Sequence, residues 1–123
     1  MAPENAVAQD LVLDLASFEL IRAGKRVKLE KTPMELLTLL VRKRGALVSR
    51  EEIVHTVWGT VHIDVDAGIN TAIRKIRHAL DDDPASPRYL ETVVGKGYRF
   101  VGAITVVNNN NHEELMSPTT VSR

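Results

Sequence analysis

Residues 68–101 read GINTAIRKIRHALDDDPASPRYLETVVGKGYRFV. Ile69, Ile73, Ile76 and Leu80 recur at i, i+4, i+7 and i+11, the apolar stripe of one helix face. The spacing predicts a helix from about Asp66, its N-cap, to Leu80 or Asp82. At ~100° per residue, Thr71, Arg74, Lys75 and His78 fall on the far side, and Asn70 and Arg77 flank the stripe. Asp81-Asp82-Asp83 oppose the helix dipole and read as a solvated terminus. Pro84 and Pro87 bar continuation of the helix. Tyr89–Val94 and Tyr98–Val101 are β-rich runs separated by Gly95-Lys96-Gly97, which predicts a hairpin with glycines at positive φ. A basic helix beside a basic hairpin suits one element to a DNA major groove and the other to the backbone or minor groove nearby.

Upstream, two capping signals predict two more helices. Thr32-Pro33-Met34-Glu35 offers Thr32 as N-cap, Pro33 at the first helical position and Glu35 closing a capping box. Leu36, Leu37, Leu40 and Val41 line one face, and Gly45 ends the helix after Arg42, Lys43 and Arg44. Ser49-Arg50-Glu51-Glu52 is the second box, opening a helix that turns Ile53, Val54, Val57 and Trp58 inward and stops at Gly59. Further upstream, Leu11, Leu13 and Leu15 alternate, Phe18 to Ile21 forms a second strand, and Val27 and Leu29 alternate with Arg26 and Lys28 in a third. The result is a small N-terminal antiparallel sheet, three helices and a hairpin. That order is an α+β winged helix-turn-helix.

At 123 residues and 44% apolar composition, the chain suits one globular domain with a small core. There are no cysteines, so disulfides, thiolate metal sites and cysteine nucleophiles are excluded. No apolar run is long enough to span a bilayer, and MAPENAVAQD is not a signal peptide, which predicts a cytoplasmic protein. Lys plus Arg number 16, as do Asp plus Glu, for a formal net charge of zero. Position matters more than the sum: 15 of the 16 cations lie between Arg22 and Arg99. Residues 1–9 read as a loose leader, and 10–104 as the domain. Residues 105–123, with Asn108 to Asn111 and a Ser/Pro/Thr-rich end, read as a disordered tail or linker.

Catalytic and metal chemistry find no support in the spacing. Gly95-Lys96-Gly97 sits between strands and lacks the helix and Lys-Ser/Thr of a phosphate-binding loop. His55, His62, His78 and His112 have no zinc-ligand spacing, and Asp64 with Asp66 reads as a helix start. No Ser-His-Asp set or tuned carboxylate pair can be argued. The expectation is a protein that is not an enzyme and has no cofactor or metal.

Four motifs in order resemble the DNA-binding effector domain of OmpR/PhoB-type bacterial regulators. They are Leu29–Leu40 (LEKTPMELLTLL), Val48–Gly59 (VSREEIVHTVWG), Ile69–Leu80 (INTAIRKIRHAL) and Glu91–Phe100 (ETVVGKGYRF). The resemblance covers roughly residues 10–104 and implies double-stranded DNA as partner, transcription regulation and, for the wider family, phosphorelay signal transduction. It implies that the third helix enters the major groove and the hairpin wing reaches the minor groove. Carried over by position, base or phosphate contacts fall on Asn70, Thr71, Arg74, Lys75, Arg77 and His78. Thr92 and Lys96 become the wing contacts, and Trp58 offers its indole N–H to a phosphate. It also implies a homodimer on paired half-sites, and RNA polymerase as a partner of the loop Gly59–Val65. Family members often carry Arg after the Thr-Val pair of the wing, where this chain has Val94, which leaves Lys96 as the wing cation. About ten residues precede the module, too few for a receiver domain, so the chain resembles the one-component, ToxR/CadC-like subgroup.

Each candidate also has a plainer reading. Arg74, Lys75 and His78 would solvate any surface helix, and Arg77, close to the apolar stripe, has a structural ion pair as its alternative. Trp58 is a natural core anchor, Thr92 a strand former, and Tyr98 and Phe100 core residues. The rival function is a winged helix used for protein interaction without DNA binding.

Overall fold

The computed structural model describes residues 11–59 and 65–107, together with the backbone of residues 113–116. Strands β1 (Leu11–Asp14), β2 (Glu19–Arg22) and β3 (Lys25–Val27) form an antiparallel meander. Helix α1 (Lys31–Arg42) follows, then a short strand β4 (Val48–Ser49) and helix α2 (Arg50–Ile53), which runs into a π-turn over Val54–Trp58. Helix α3 (Val65–Leu80) precedes the wing strands β5 (Leu90–Val93) and β6 (Gly97–Phe100). Strands β7 (Ile104–Val107) and β8 (Glu113–Met116) complete the order. The fold is the α+β winged helix expected from the pattern of elements.

Two sheets flank the helices. One has the order β3-β2-β1-β7-β8, the other β4-β6-β5. A single buried cluster joins them. The large sheet supplies Leu11, Leu13, Leu20, Ile104 and Val106, α1 supplies Leu36, Leu37 and Leu40, and α3 supplies Ile69, Ile73, Ile76 and Leu80. The wing sheet adds Val48, Leu90, Tyr98 and Phe100. Each fully buried Leu or Ile contributes about 1.5–3 kcal/mol, so α1 and α3 are held chiefly by this shared core and not by helix propensity.

Several local details differ from the sequence expectation. Helix α1 begins with Glu30, not Thr32, as its N-cap, and no side chain caps it. The Met34 N–H donates to the Glu30 carbonyl at 2.9 Å, so Pro33 lies in the first turn, where its missing N–H costs nothing. Arg44 (φ 56°) and Gly45 (φ 88°) both take the left-handed conformation that ends α1. The Ser49 hydroxyl caps α2 by accepting from the Glu52 N–H at 3.0 Å, while the Glu52 carboxylate is taken by Lys43 at 2.9 Å. Of the four α2 positions expected inward, Ile53 is buried and Val54, Val57 and Trp58 are half-buried, because the π-turn widens the backbone there.

Asp66 lies inside α3, not at its N-cap. The third strand stops at Val27, short of Leu29, and Phe18 sits in the β1–β2 turn with φ 59°.

The largest correction concerns the tail expected from residue 105. Residues 104–107 form β7, which pairs in parallel with β1 (Val12↔Thr105, Leu13↔Val106, Asp14↔Val107). β8 in turn pairs with β7. The reason is a β-branched run, Ile104-Thr105-Val106-Val107, with alternate residues buried. The asparagine run begins only at residue 108. The expected leader 1–9, residues 60–64 of the Gly59–Val65 loop, and 108–112 and 117–123 of the expected tail lie outside the described residues.

Candidate nucleic-acid interface

Helix α3 buries Ile69, Ala72, Ile73, Ile76, Ala79 and Leu80. On the opposite side Asn70, Arg74, Lys75 and His78 are exposed, with Thr71 and Arg77 half-buried. Asn70, Arg74 and His78 stand at i, i+4 and i+8 and make one ridge. A groove runs along each side of it. The groove toward β2 and β3 has a volume of about 830 Å³, and the one toward the wing about 590 Å³. Arg74 and His78 line both. Among the described residues, none of Asn70, Arg74 and His78 has a side-chain hydrogen bond or ion pair.

Three of the expected contact residues, Lys75, Arg77 and Thr92, are engaged within the fold. Lys75 Nζ donates to Glu30 Oε1 at 2.5 Å, tying α3 to the residue that precedes α1. That hydrogen bond, and then the lysine charge, hold the Glu30 carboxyl below its usual value. Arg77 Nη2 donates to the Leu90 carbonyl at 3.1 Å and to Thr92 Oγ1 at 2.8 Å. The partner of Arg77 is therefore a strand and not a carboxylate. Arg77 and Thr92 are brought together, and their contact fixes the wing against α3.

The end of α3 explains the aspartates. Asp81 adopts φ 57°, and the N–H groups of Asp81 and Asp82 donate to the carbonyls of His78 (3.1 Å) and Arg77 (2.8 Å). This is a Schellman motif with aspartate where glycine is usual. Asp82 is buried, and its carboxylate accepts from three backbone N–H groups: Arg88 at 2.7 Å, Tyr89 at 3.2 Å and Leu90 at 2.9 Å. It replaces solvent for the strand that starts the wing. An aspartate run opposed to the helix dipole was the sequence signal for this role, since only a specific acceptor duty offsets that opposition.

Arg50, at the start of α2, is a second residue that sequence reasoning missed. Its Nη2 donates to Asp66 Oδ1 at 2.6 Å and its Nη1 to the Tyr98 hydroxyl at 3.4 Å, joining α2, α3 and β6. The hydrogen bond to Asp66 raises the arginine pKa further.

The wing tip is Val94-Gly95-Lys96. The Lys96 N–H donates to the Val93 carbonyl at 2.9 Å, and Gly95 has φ 77°. The Lys96 side chain is exposed and has no partner among the described residues, and Val94 is 88% exposed beside it. Gly97 (φ 154°) is required by packing, since a Cβ there would stand 2.0 Å from the Val48 carbonyl oxygen. Trp58 is half-buried against the core at the other end of α3, where a Cβ on Gly68 would come within 3.0 Å of its ring. Its indole N–H makes no hydrogen bond among the described residues.

Comparison with known proteins places these features in context. Residues 24–100 match the family described as "Transcriptional regulatory protein, C terminal". The chain is 38% identical over 88 residues to the transcriptional regulatory protein KdpE of Mycobacterium tuberculosis, covering 72% of this chain and 39% of that protein. The chain thus spans about two fifths of that curated relative's length. Among solved structures, the Thermotoga maritima response regulator DrrB, an OmpR/PhoB homologue, is 37% identical with a TM-score of 0.62. That match covers 68% of this chain and 38% of DrrB. The Klebsiella pneumoniae RstA DNA-binding domain, solved in complex with the RstA box, is 25% identical with a TM-score of 0.67. That match covers 74% of this chain and 90% of the RstA chain.

Proposed function

This chain belongs to the OmpR/PhoB-type family of C-terminal domains of transcriptional regulatory proteins, and from that premise we propose that it binds double-stranded DNA through α3 and the wing to regulate transcription. The ridge of Asn70, Arg74 and His78 carries the reading. It is exposed, polar and unspent in intramolecular contacts, and it stands between two grooves. A helix with its side chains is about 10–12 Å across, and the major groove is about 12 Å wide. The eight residue steps from Asn70 to His78 rise about 12 Å, enough to pass roughly four base pairs. Arg74 suits guanine acceptors and Asn70 an adenine edge. Thr71 and Trp58 approach one backbone, and Lys96 with Val94 approaches the groove beyond the wing. Arg77 and Thr92 act one step back, by setting the angle of the wing, and Lys75 acts only when its pair with Glu30 opens.

The same reading gives a regulator that is not an enzyme and works in the cytoplasm. It acts as a dimer on paired half-sites, and the loop Gly59–Val65 faces RNA polymerase. The domain boundary then extends past residue 104 to include β7.

The test is fluorescence anisotropy of the chain with random-sequence and genomic duplexes across a salt series. Binding whose logarithm falls steeply with log salt is the expected result. No binding at low salt and high protein concentration overturns the DNA reading and leaves the protein-interaction alternative.

A further inference from the structure

The groove on the sheet side of α3 is not accounted for by the fold or by the ridge. Its walls carry Arg22 from β2, Lys28 from the β3–α1 connection, and Arg74 and His78 from α3. Val27, Leu29 and Ala79 also line it. Among the described residues neither Arg22 nor Lys28 donates a side-chain hydrogen bond or meets a carboxylate, and Arg22 Nε is buried without an acceptor. The one acid on the groove wall, Glu30, is already neutralised by Lys75. Elsewhere among the described residues, Arg26 pairs with Glu19, Lys43 with Glu52, Arg50 with Asp66 and Arg99 with Glu91. Lys25, Lys31, Arg42, Arg44 and Lys96 have no acid partner among the described residues and, unlike Arg22 and Lys28, line no groove beside α3.

Three uncompensated positive charges from separate segments thus converge on one opening, in a chain whose net charge is zero. Like charges gathered without a counter-charge repel and create a positive potential for an anion. The anion's identity follows from continuity with the ridge. Arg74 and His78 form one wall of this groove, and on the DNA reading above they are also the residues that face the bases. A helix lodged in a major groove has a phosphate strand on each side. The wing and Lys96 lie on one side, and Arg22 and Lys28 on the other.

We infer that this groove, with Arg22 and Lys28, is a second backbone-binding site that grips the DNA strand on the side of α3 away from the wing. The inference rests on the DNA reading above and deepens it. Backbone contacts of this kind set register and add affinity without reading sequence.

The test compares the full chain with Lys28→Ala and with Arg22→Ala/Lys28→Ala, titrated against a random duplex and a selected preferred duplex at several salt concentrations. Each neutralised phosphate contributes about 0.9 to the salt slope. Lys28→Ala is expected to flatten the slope by about 0.9, and the double variant by about 1.8, on both duplexes, with their affinity ratio unchanged. Lys28 is exposed, so its single variant keeps the measurement valid if loss of Arg22 impairs folding. Wild-type slopes in Lys28→Ala and in a folded double variant, beside an affinity loss in Arg74→Ala, overturn the groove site while the DNA reading stands. Loss of binding to poly-glutamate with unchanged DNA slopes overturns it in favour of an acidic protein segment. If the wild type shows no salt-dependent binding at all, the DNA reading fails first and takes the groove site with it.

Discussion

The two flanks of α3 use the same residue types for opposite ends. On the wing side, apart from Lys96 at the tip, the charged groups between α3 and the wing are engaged within the fold. Arg77 is bound to Leu90 and Thr92, Asp82 to three backbone N–H groups, and Arg50 to Asp66 and Tyr98. On the sheet side one pair, Lys75 with Glu30, ties α3 to the rest, while Arg22, Lys28 and Arg74 stay unpaired among the described residues. One flank is fastened and the other is charged and open. A basic helix therefore does not present all its cations to a partner. Arg77 holds the wing, Lys75 is paired with Glu30, and Arg74 is left without a partner among the described residues.

The largest expected effect attacks the fastened flank. Asp82→Ala leaves three N–H groups at the start of the wing without their charged acceptor. It should cost about 3 kcal/mol of stability, seen as a fall of order 10–15 °C in Tm. An unchanged Tm would mean that packing alone holds the wing.

Next, Arg74→Ala and Arg77→Ala separate the two duties directly. Arg74→Ala should lose about 1–3 kcal/mol of DNA affinity and keep stability within about 0.5 kcal/mol. Arg77→Ala should lose about 1.5 kcal/mol of stability and retain the salt slope of binding. The contrast breaks if denaturant melts and anisotropy show the two variants trading these outcomes.

A smaller gain is expected at the wing tip. Val94→Arg places a cation beside Lys96 and should steepen the salt slope by about 0.9. It should also favour sites with an A/T-rich, narrow minor groove. Equal affinity for A/T- and G/C-flanked sites would show that the tip rests on backbone only.

The smallest effect comes from Glu30→Gln, which releases Lys75 to the open flank. Affinity should rise roughly threefold with a slope steeper by about 0.9. The Glu30 carboxyl is held below its ordinary value in the fold. Its contribution is therefore present above the unfolded carboxylate pKa and is lost as pH falls through the lower folded value. Between about pH 6 and 8 the pair stays charged, so the affinity ratio of wild type to Glu30→Gln should not change. A ratio that drifts over this range would mean that the Lys75–Glu30 pair does not control the release.

Much of this architecture was legible along the chain, because its signals are local. The apolar stripe of α3, the Ser49 cap and the hairpin around Gly95 depend on residues within a few positions of each other. The misplaced boundaries show the limit of such signals. Thr32-Pro33-Met34-Glu35 satisfies the pattern of a helix start, yet the first turn closes one residue pair earlier on the Glu30 carbonyl. Strand β4 is two residues long and exists only by pairing with β6. Strand β7 exists by pairing with β1, from the other end of the described chain, and composition pointed the wrong way because the asparagine run follows immediately. In the candidate site the positions on the exposed face were readable from helical spacing, but the fates of Lys75, Arg77 and Thr92 were not.

By itself, the amino-acid order determined which segments are helices, which face of each is apolar, and that a basic helix is followed by a tight hairpin. These follow from backbone periodicity and turn sterics, which act over a few residues. Tertiary structure alone decided which cations are spent and which are left over. Lys75 meets Glu30 across 45 positions, and Arg77 meets Thr92 across 15. Coulomb and hydrogen-bond energies depend on separation in space, and that separation is set only when the core closes and lays β2, β3 and the wing along the two sides of α3.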